Sequence, residues 1–340
     1  MRSVFARVLL SPLAVFFVMN PLAHGQAQEK MDFDGNPGGV RYLEEGQRPA
    51  IVHPTVEAMR QARRAGLARA ASRNLSYHGG TSDGAAGRVG VETAPKVYVV
   101  FWGSQWNNHD PSGEAAIVQN FLKGVGGSSW LDSVTQYCQG VASGTVFCNG
   151  AGTAAGNPKG IFVAAWYDNT VAAPAHPGQS QFANEAVRAA AHFGNTSASR
   201  NASTQYVIAT ASGNNSAGFG SQYCAYHSAT GSSYGDIAYT NLPYITDAGA
   251  SCGANFNGLG PHAGITIVEG HELAETISDQ FPSSGWLDSS GSENGDKCAW
   301  ISSGQGKSSN LSLATGTFAV QSLWSNAFNN DAGGCVLSYP

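Results

Sequence analysis

The chain has 340 residues, only 12% of them charged, with 43 glycines, six cysteines and a formal net charge of −5. That length suits one large domain with a smaller extra segment. From residue 78 onward 8 basic side chains stand against 17 acidic ones, a surplus that repels phosphate and excludes nucleic acid as a partner.

Residues 1–25 read as a secretory signal. Arg2 and Arg7 precede the apolar run "VLLSPLAVFFVM", and the small residues Ala23 and Gly25 follow it. The competing reading is a membrane anchor, but the run falls short of the roughly 18 apolar residues a span needs, and no later segment approaches that length. The expected destination is therefore secreted, extracellular or periplasmic, with no membrane association after signal removal. Residues 26–76 form a basic leader or pro-segment. Positions 41–73 hold seven arginines against three glutamates, and "VEAMRQARRAGLARAASR" is helix-forming. Two readings stay open: a pro-segment docked on an acidic domain and later cut at an arginine, or a solvated leader without strands.

The main domain is expected over 77–340. "KVYVVFW" (96–102), "GIFVAAWY" (160–167) and "TQYVIATAS" (204–212) read as buried strands. "SGEAAIVQNFLKGV" (112–125), "SWLDSVTQYC" (129–138) and "SQFANEAVRAAAHFG" (180–194) read as helical. Residues 213–262 carry few periodic signals. The helix "AGITIVEGHELAETISD" (263–279) and a loop-rich tail with short strands complete the chain. Strands alternating with helices imply an α/β class, a single layered domain with a mixed sheet and an active-site helix, metalloprotease-like in plan. The six cysteines of an exported chain imply three disulfides. Pairing neighbours, 138–148, 224–252 and 298–335, closes the shortest loops.

The chemistry concentrates on the last helix. His271 and Glu275 lie one turn apart and can converge on one point, with Glu272 about 100° round the helix. Zinc peptidases use this order: two ligands one turn apart and a glutamate base beside the first. Here glutamate stands where such sites usually have a second histidine, and zinc accepts carboxylate oxygen as well as imidazole nitrogen. Between Glu269 and Asp296 there are seven acidic residues and no Lys or Arg until Lys297. Such a cluster calls for a cation. The loop 286–298 adds Asp288, Glu293 and Asp296. The expected site thus has Glu272 as catalytic base and His271, Glu275, Glu293 and Asp296 as metal ligands, with zinc as the cofactor. Calcium is the competing ion, as a structural cation for the oxygens of Asp279, Asp288, Glu293 and Asp296. The competing reading of His271 is a buried, hydrogen-bonded core histidine. His227 and His262 are further candidate ligands. Cys224 is read as a disulfide partner rather than a nucleophile. The expected partner is a protein or peptide substrate, and the expected state is a monomer.

The pieces "YHGG" (77–80), "KVYVVFWGSQW" (96–106), "YCAYHS" (223–228), "HELAETISD" (271–279), Trp286 and "ENGDKC" (293–298) occur in an order that resembles the Exordium / phosphate-induced protein 1 family of plant cell-wall proteins and their bacterial relatives. The resemblance places His271, Glu272, Glu275, Trp286, Glu293, Asp296 and Cys298 at corresponding positions. It implies secretion, the same constellation and a link to growth responses, and it implies no catalysis. The Arg-rich leader and the "SSGSENGD" loop depart from the family pattern.

Overall fold

A computed structural model of the chain describes residues 37–65, 74–82 and 88–339. The expected signal peptide lies outside the described residues, as do 26–36 and 66–73 of the expected leader. The described residues fall within one compact unit, Asp34–Pro340.

Seven strands make the main sheet: β1 (Gly39–Arg41), β2 (Ala50–Pro54), β3 (Lys96–Trp102), β4 (Phe162–Asp168), β5 (Thr204–Thr210), β6 (Tyr223–Ser232) and β7 (Gly235–Leu242). Their spatial order is β1-β2-β6-β7-β5-β3-β4. The pairs β7–β5, β5–β3 and β3–β4 are parallel, while β1–β2, β2–β6 and β6–β7 are antiparallel. The class is mixed α/β, and the sheet is mixed as expected.

Strand alternation sorts the core into two layers. In β3, Val97, Val99 and Phe101 join one apolar cluster, and Tyr98, Val100 and Trp102 join another. The first cluster is covered by α2 (Glu114–Val125), through Val118, Phe121 and Leu122. The second is covered by α3 (Gln179–His192), through Phe182, Ala186 and Ala190. Each fully buried Val, Ile or Phe in these layers contributes about 2 kcal/mol. α1 is Val56–Arg64, opened by the Thr55 hydroxyl accepting from the Ala58 amide.

The helix that carries the candidate chemistry is α4 (Ala263–Ser278), and all 16 of its residues are buried. It is packed between β6, α2 and the hairpin Ser309–Leu313/Gly316–Val320. Gly270 permits that closeness, since a Cβ there would meet Trp130 and Phe121 at 3.1 and 3.2 Å. A helix apolar on every side belongs in an interior, so the polar residues on this one stand out.

Three expectations about elements need correction. Residues 129–138 form only a 3-10 turn, Leu131–Val134, followed by a short strand beginning at Cys138. The stretch 213–262 contains β6 and β7, a hairpin in the middle of the sheet. Its strands are rich in Tyr, Ser, Thr and Asn and buried on both faces, so no period-2 pattern shows. The leader was expected to lack strands; residues 39–64 instead form β1, β2 and α1, and β1 and β2 are hydrogen-bonded into the main sheet.

The three disulfides pair as expected: Cys138–Cys148, Cys224–Cys252 and Cys298–Cys335. Three such bridges fit an oxidising, extracellular-type environment. No helix among the described residues is long and apolar enough to cross a membrane.

Candidate metal centre

α4 carries His271 and Glu275 on one face, and His271 Nε2 lies 3.1 Å from Glu275 Oε2. The loop pinned by Cys298 brings Asp296 to the same point. Its Oδ1 is 3.7 Å from His271 Nε2, and its amide donates to Glu275 Oε1 at 2.7 Å. One ligand atom from each of His271, Glu275 and Asp296 falls within 4.8 Å of the others. Behind the histidine, His271 Nδ1 faces Gln321 Oε1 at 3.3 Å, and Gln321 Nε2 donates to the Gly295 carbonyl at 2.8 Å. That bond places the ring proton on Nδ1 and frees Nε2 for a ligand role.

Two more triads overlap the first. His227, Glu272 and Glu275 form one, and His53, His271 and Glu272 form the other. On β6, Ala225 and His227 look toward α4, opposite His53 and Ile51 of β2. His227 Nδ1 is 3.2 Å from Glu272 Oε2, and its Nε2 is 3.5 Å from Glu293 Oε1. The His53 ring lies flat on that of His271, with centroids 3.9 Å apart, and is backed by Trp300.

Every member of the cluster is buried, at 0% exposure for His53, His227, His271, Glu272, Glu275 and Glu293 and 3% for Asp296. Burial dominates the titration. It raises Glu272 to about 8, although His227 pulls the other way. Burial and then neighbouring carboxylates raise Glu293 and Asp296. For His271, burial pulls downward, but Glu275 and Asp296 outweigh it and its pKa rises. His53 is held neutral, its pKa lowered by burial and by His271.

The donor set fits a divalent cation. His271 Nε2, His227 Nε2, both His53 nitrogens, Glu272 Oε1, Glu275 Oε2, both Glu293 oxygens and Asp296 Oδ1 are buried with no hydrogen-bond partner. Orphaned buried groups of this kind are destabilising by roughly 1–3 kcal/mol each, and a shared cation relieves them together.

The expected residues therefore distribute as follows. His271, Glu275 and Asp296 meet at one point. Glu293 lies at the edge of the cluster beside His227, outside all three triads. Glu272 points to His227. Asp288 is engaged by Lys297 at 2.8 Å and by Ser290 and Ser292, apart from the cluster. Asp279 accepts from the Ser284 hydroxyl at 2.7 Å. His262 is exposed at the start of α4, and Cys224 is in a disulfide. Sequence reasoning missed His53 and Gln321 altogether. The "AIVHP" run, β-branched with a single histidine, was the available signal for the first; nothing marked the second.

Comparison of the chain with models of known protein families, with curated proteins and with solved structures finds no match.

Proposed function

We propose that the protein is a secreted zinc-dependent peptidase or related hydrolase. The observation that carries this reading is the buried triad His271, Glu275 and Asp296, each with an orphaned ligand atom, beside Glu272 on the same helix. One nitrogen and two carboxylate donors suit zinc, with a position left for a further ligand. When bound, zinc polarises a carbonyl and acidifies water. The chain's own residues do the rest. Glu272, next to His271 on α4, accepts a proton as general base. His227 orients it from β6. Gln321 fixes the tautomer of His271. Of the two loop carboxylates expected as ligands, Asp296 is the one assigned, and Glu293 acts through His227.

A second reading is favoured by the complete burial of the cluster. In it the protein is a non-catalytic secreted binding or signalling protein, akin to the Exordium family that the sequence resembles, and the cation is structural calcium. Metal content separates the two. Protein purified without chelator or added metal should hold one zinc per chain, lost in His271→Ala and Asp296→Ala and kept in Glu272→Gln. Calcium in place of zinc, indifferent to His271→Ala, would refute the hydrolase reading.

A further inference from the structure

One cation at His271, Glu275 and Asp296 engages two carboxylates of the cluster and leaves others. Glu272 and Glu293 stay buried at 0% exposure, with the His227 ring between them. His227 groups with Glu272 and Glu275, one ligand atom from each lying within 4.8 Å of the others, and it groups with neither His271 nor Asp296. An ion in the first triad therefore leaves the His227 group to itself.

That group is arranged as a ligand set. His227 is held in mid-sheet, paired across β6 with Ile51 of β2 and Thr240 of β7. Its Nδ1 faces Glu272 Oε2 at 3.2 Å and Glu275 Oε2 at 3.6 Å. Its Nε2 faces Glu293 Oε1 at 3.5 Å. A carboxylate on the far nitrogen is the common partner that holds a ligating imidazole in its tautomer. The near side is short of protons. Nδ1 has at most one to offer two carboxylates, and Glu272 Oε1 and Glu275 Oε2 are buried with no hydrogen-bond partner. Glu275 belongs to both triads. Its Oε1 accepts the Asp296 amide at 2.7 Å, while its Oε2 lies 3.1 Å from His271 Nε2 and 3.6 Å from His227 Nδ1. An oxygen between two histidines on different elements has the position of a bridging carboxylate in two-metal sites, whose ions stand about 3.5–4 Å apart.

We infer that His227 Nδ1, Glu272 and Glu275 form a second divalent-cation site, weaker than the first, and that zinc entering it silences the hydrolase. One imidazole and two carboxylates suit zinc, with cobalt as its usual substitute. The second site is the weaker because Glu275 is shared with the first ion and because two dications repel each other. The silencing rests on the hydrolase reading and deepens it. A Glu272 carboxylate that gives its lone pair to a cation can no longer take a proton from water. Zinc in excess is then a brake on an enzyme that one zinc activates.

The test titrates cobalt into the metal-depleted full chain. Two equivalents should bind, the second more weakly than the first. Ions that share a carboxylate couple magnetically, so the paramagnetic resonance signal of the one-cobalt protein should fall as the second ion enters. Cobalt on an exposed histidine would add to that signal instead. His227→Ala and His227→Gln should keep the first equivalent and weaken the second at least about 10-fold. With free zinc set by a metal buffer, casein turnover by wild type should rise as the first equivalent fills and fall at least about 10-fold as the second fills, the low end of what a lost general base costs. Lowering free zinc should restore it. A second equivalent that is absent up to millimolar cobalt, that adds to the signal, or that survives both His227 changes would overturn the inference and leave the one-zinc hydrolase reading intact. A coupled second ion with steady turnover would overturn the silencing. One tight ion with no casein turnover at any zinc level would remove the hydrolase reading and the silencing with it. No metal bound by wild type would remove both sites. If His227→Ala does not fold, His227→Gln and the wild-type signal decide the matter.

Discussion

Gly295 should be replaceable without loss of the fold but not without loss of the metal. Its backbone angles, φ −77° and ψ −46°, are helical, so alanine carries no conformational penalty there. The constraint is steric. A Cβ at 295 would lie 2.7 Å from His271 Nδ1 and 2.8 Å from Glu275 Oε1, against an ordinary contact of about 3.5 Å. Something must move by about 0.7 Å. α4 is buried along its full length and cannot slide, so the displacement falls on the two ligand side chains or on the loop that presents Asp296. Ligand distances tolerate about 0.2 Å, so a shift of that size dismantles the triad. The expected loss in zinc affinity for Gly295→Ala is about 10- to 100-fold, the range found when partners that orient metal ligands are removed. Competition with a chromogenic chelator reads the affinity, and circular dichroism with a thermal melt confirms the fold. Zinc affinity within twofold of wild type in a folded Gly295→Ala protein would refute the geometry on which the centre is built.

Glu272→Gln should keep one zinc and lose at least 10²-fold in casein turnover, the scale of a lost general base; turnover within threefold would remove Glu272 from that role. Gln321→Leu should leave His271 Nδ1 without its acceptor and weaken zinc by about 10-fold, read by the same chelator competition, while an unchanged affinity would mean the tautomer is fixed otherwise. Glu92 is buried, accepts from Gln205 Nε2 at 2.9 Å, and has its pKa raised by burial to about 8. Because its folded value lies above the usual 4.5, it takes up a proton on folding, so its contribution is fully present below pH 4.5 and is lost as pH rises toward 8. Glu92→Gln removes that dependence and should stabilise the protein at pH 8.5, with a ceiling of about 5 kcal/mol from 3.5 units at 1.36 kcal/mol each; urea melts at pH 5 and 8.5 that show the same difference at both values would contradict the assignment.

Much of the fold was legible because strands such as Lys96–Trp102 are unbroken β-branched and aromatic runs, and the helices Glu114–Val125 and Gln179–His192 have regular apolar spacing. The hairpin β6–β7 escaped because its buried polar residues pair with partners distant in the chain, as Ser228 does with Pro49 and Asn241 with Ser216. The same separation hid half of the site. His271, Glu272 and Glu275 share one helix, and spacing alone places them. His227 has no local signal tying it to Glu272, 45 residues away. His53 belongs to a segment whose arginines dominate its composition. From sequence both Glu293 and Asp296 count as ligands, because a turn of three residues can aim either side chain; of the two, Asp296 is the one grouped with His271 and Glu275 in the structure.

The placement of the charged cluster bears on function beyond the identity of the metal. α4 lies in the interior, and among the described residues its carboxylates Glu272 and Glu275 pair only with the histidines His227 and His271, while Lys297 of the acidic loop is paired with Asp288. Buried carboxylates without cations are destabilising, and apolar residues of similar volume would usually serve stability as well or better. A helix kept only for packing has no use for Glu272, Glu275 and a facing Asp296. The cluster also joins parts of the chain that local structure would leave independent: β2, β6, α4, the 293–296 loop and Gln321. In the proposed reading a divalent cation there holds α4 to its loop through Asp296, beside the β2 residue His53 that lies flat on His271. Loading of such a cation is then linked to the packing of β2, because His53 lies flat on the proposed ligand His271. Chelation should therefore loosen the N-terminal segment before the main sheet, and hydrogen exchange should report faster exchange at Ile51 and Val52 than in β3 or β5 once zinc is withdrawn. Uniform loosening across all three strands would show that β2 and the inner strands are one cooperative unit, and would refute the link between the cation and β2.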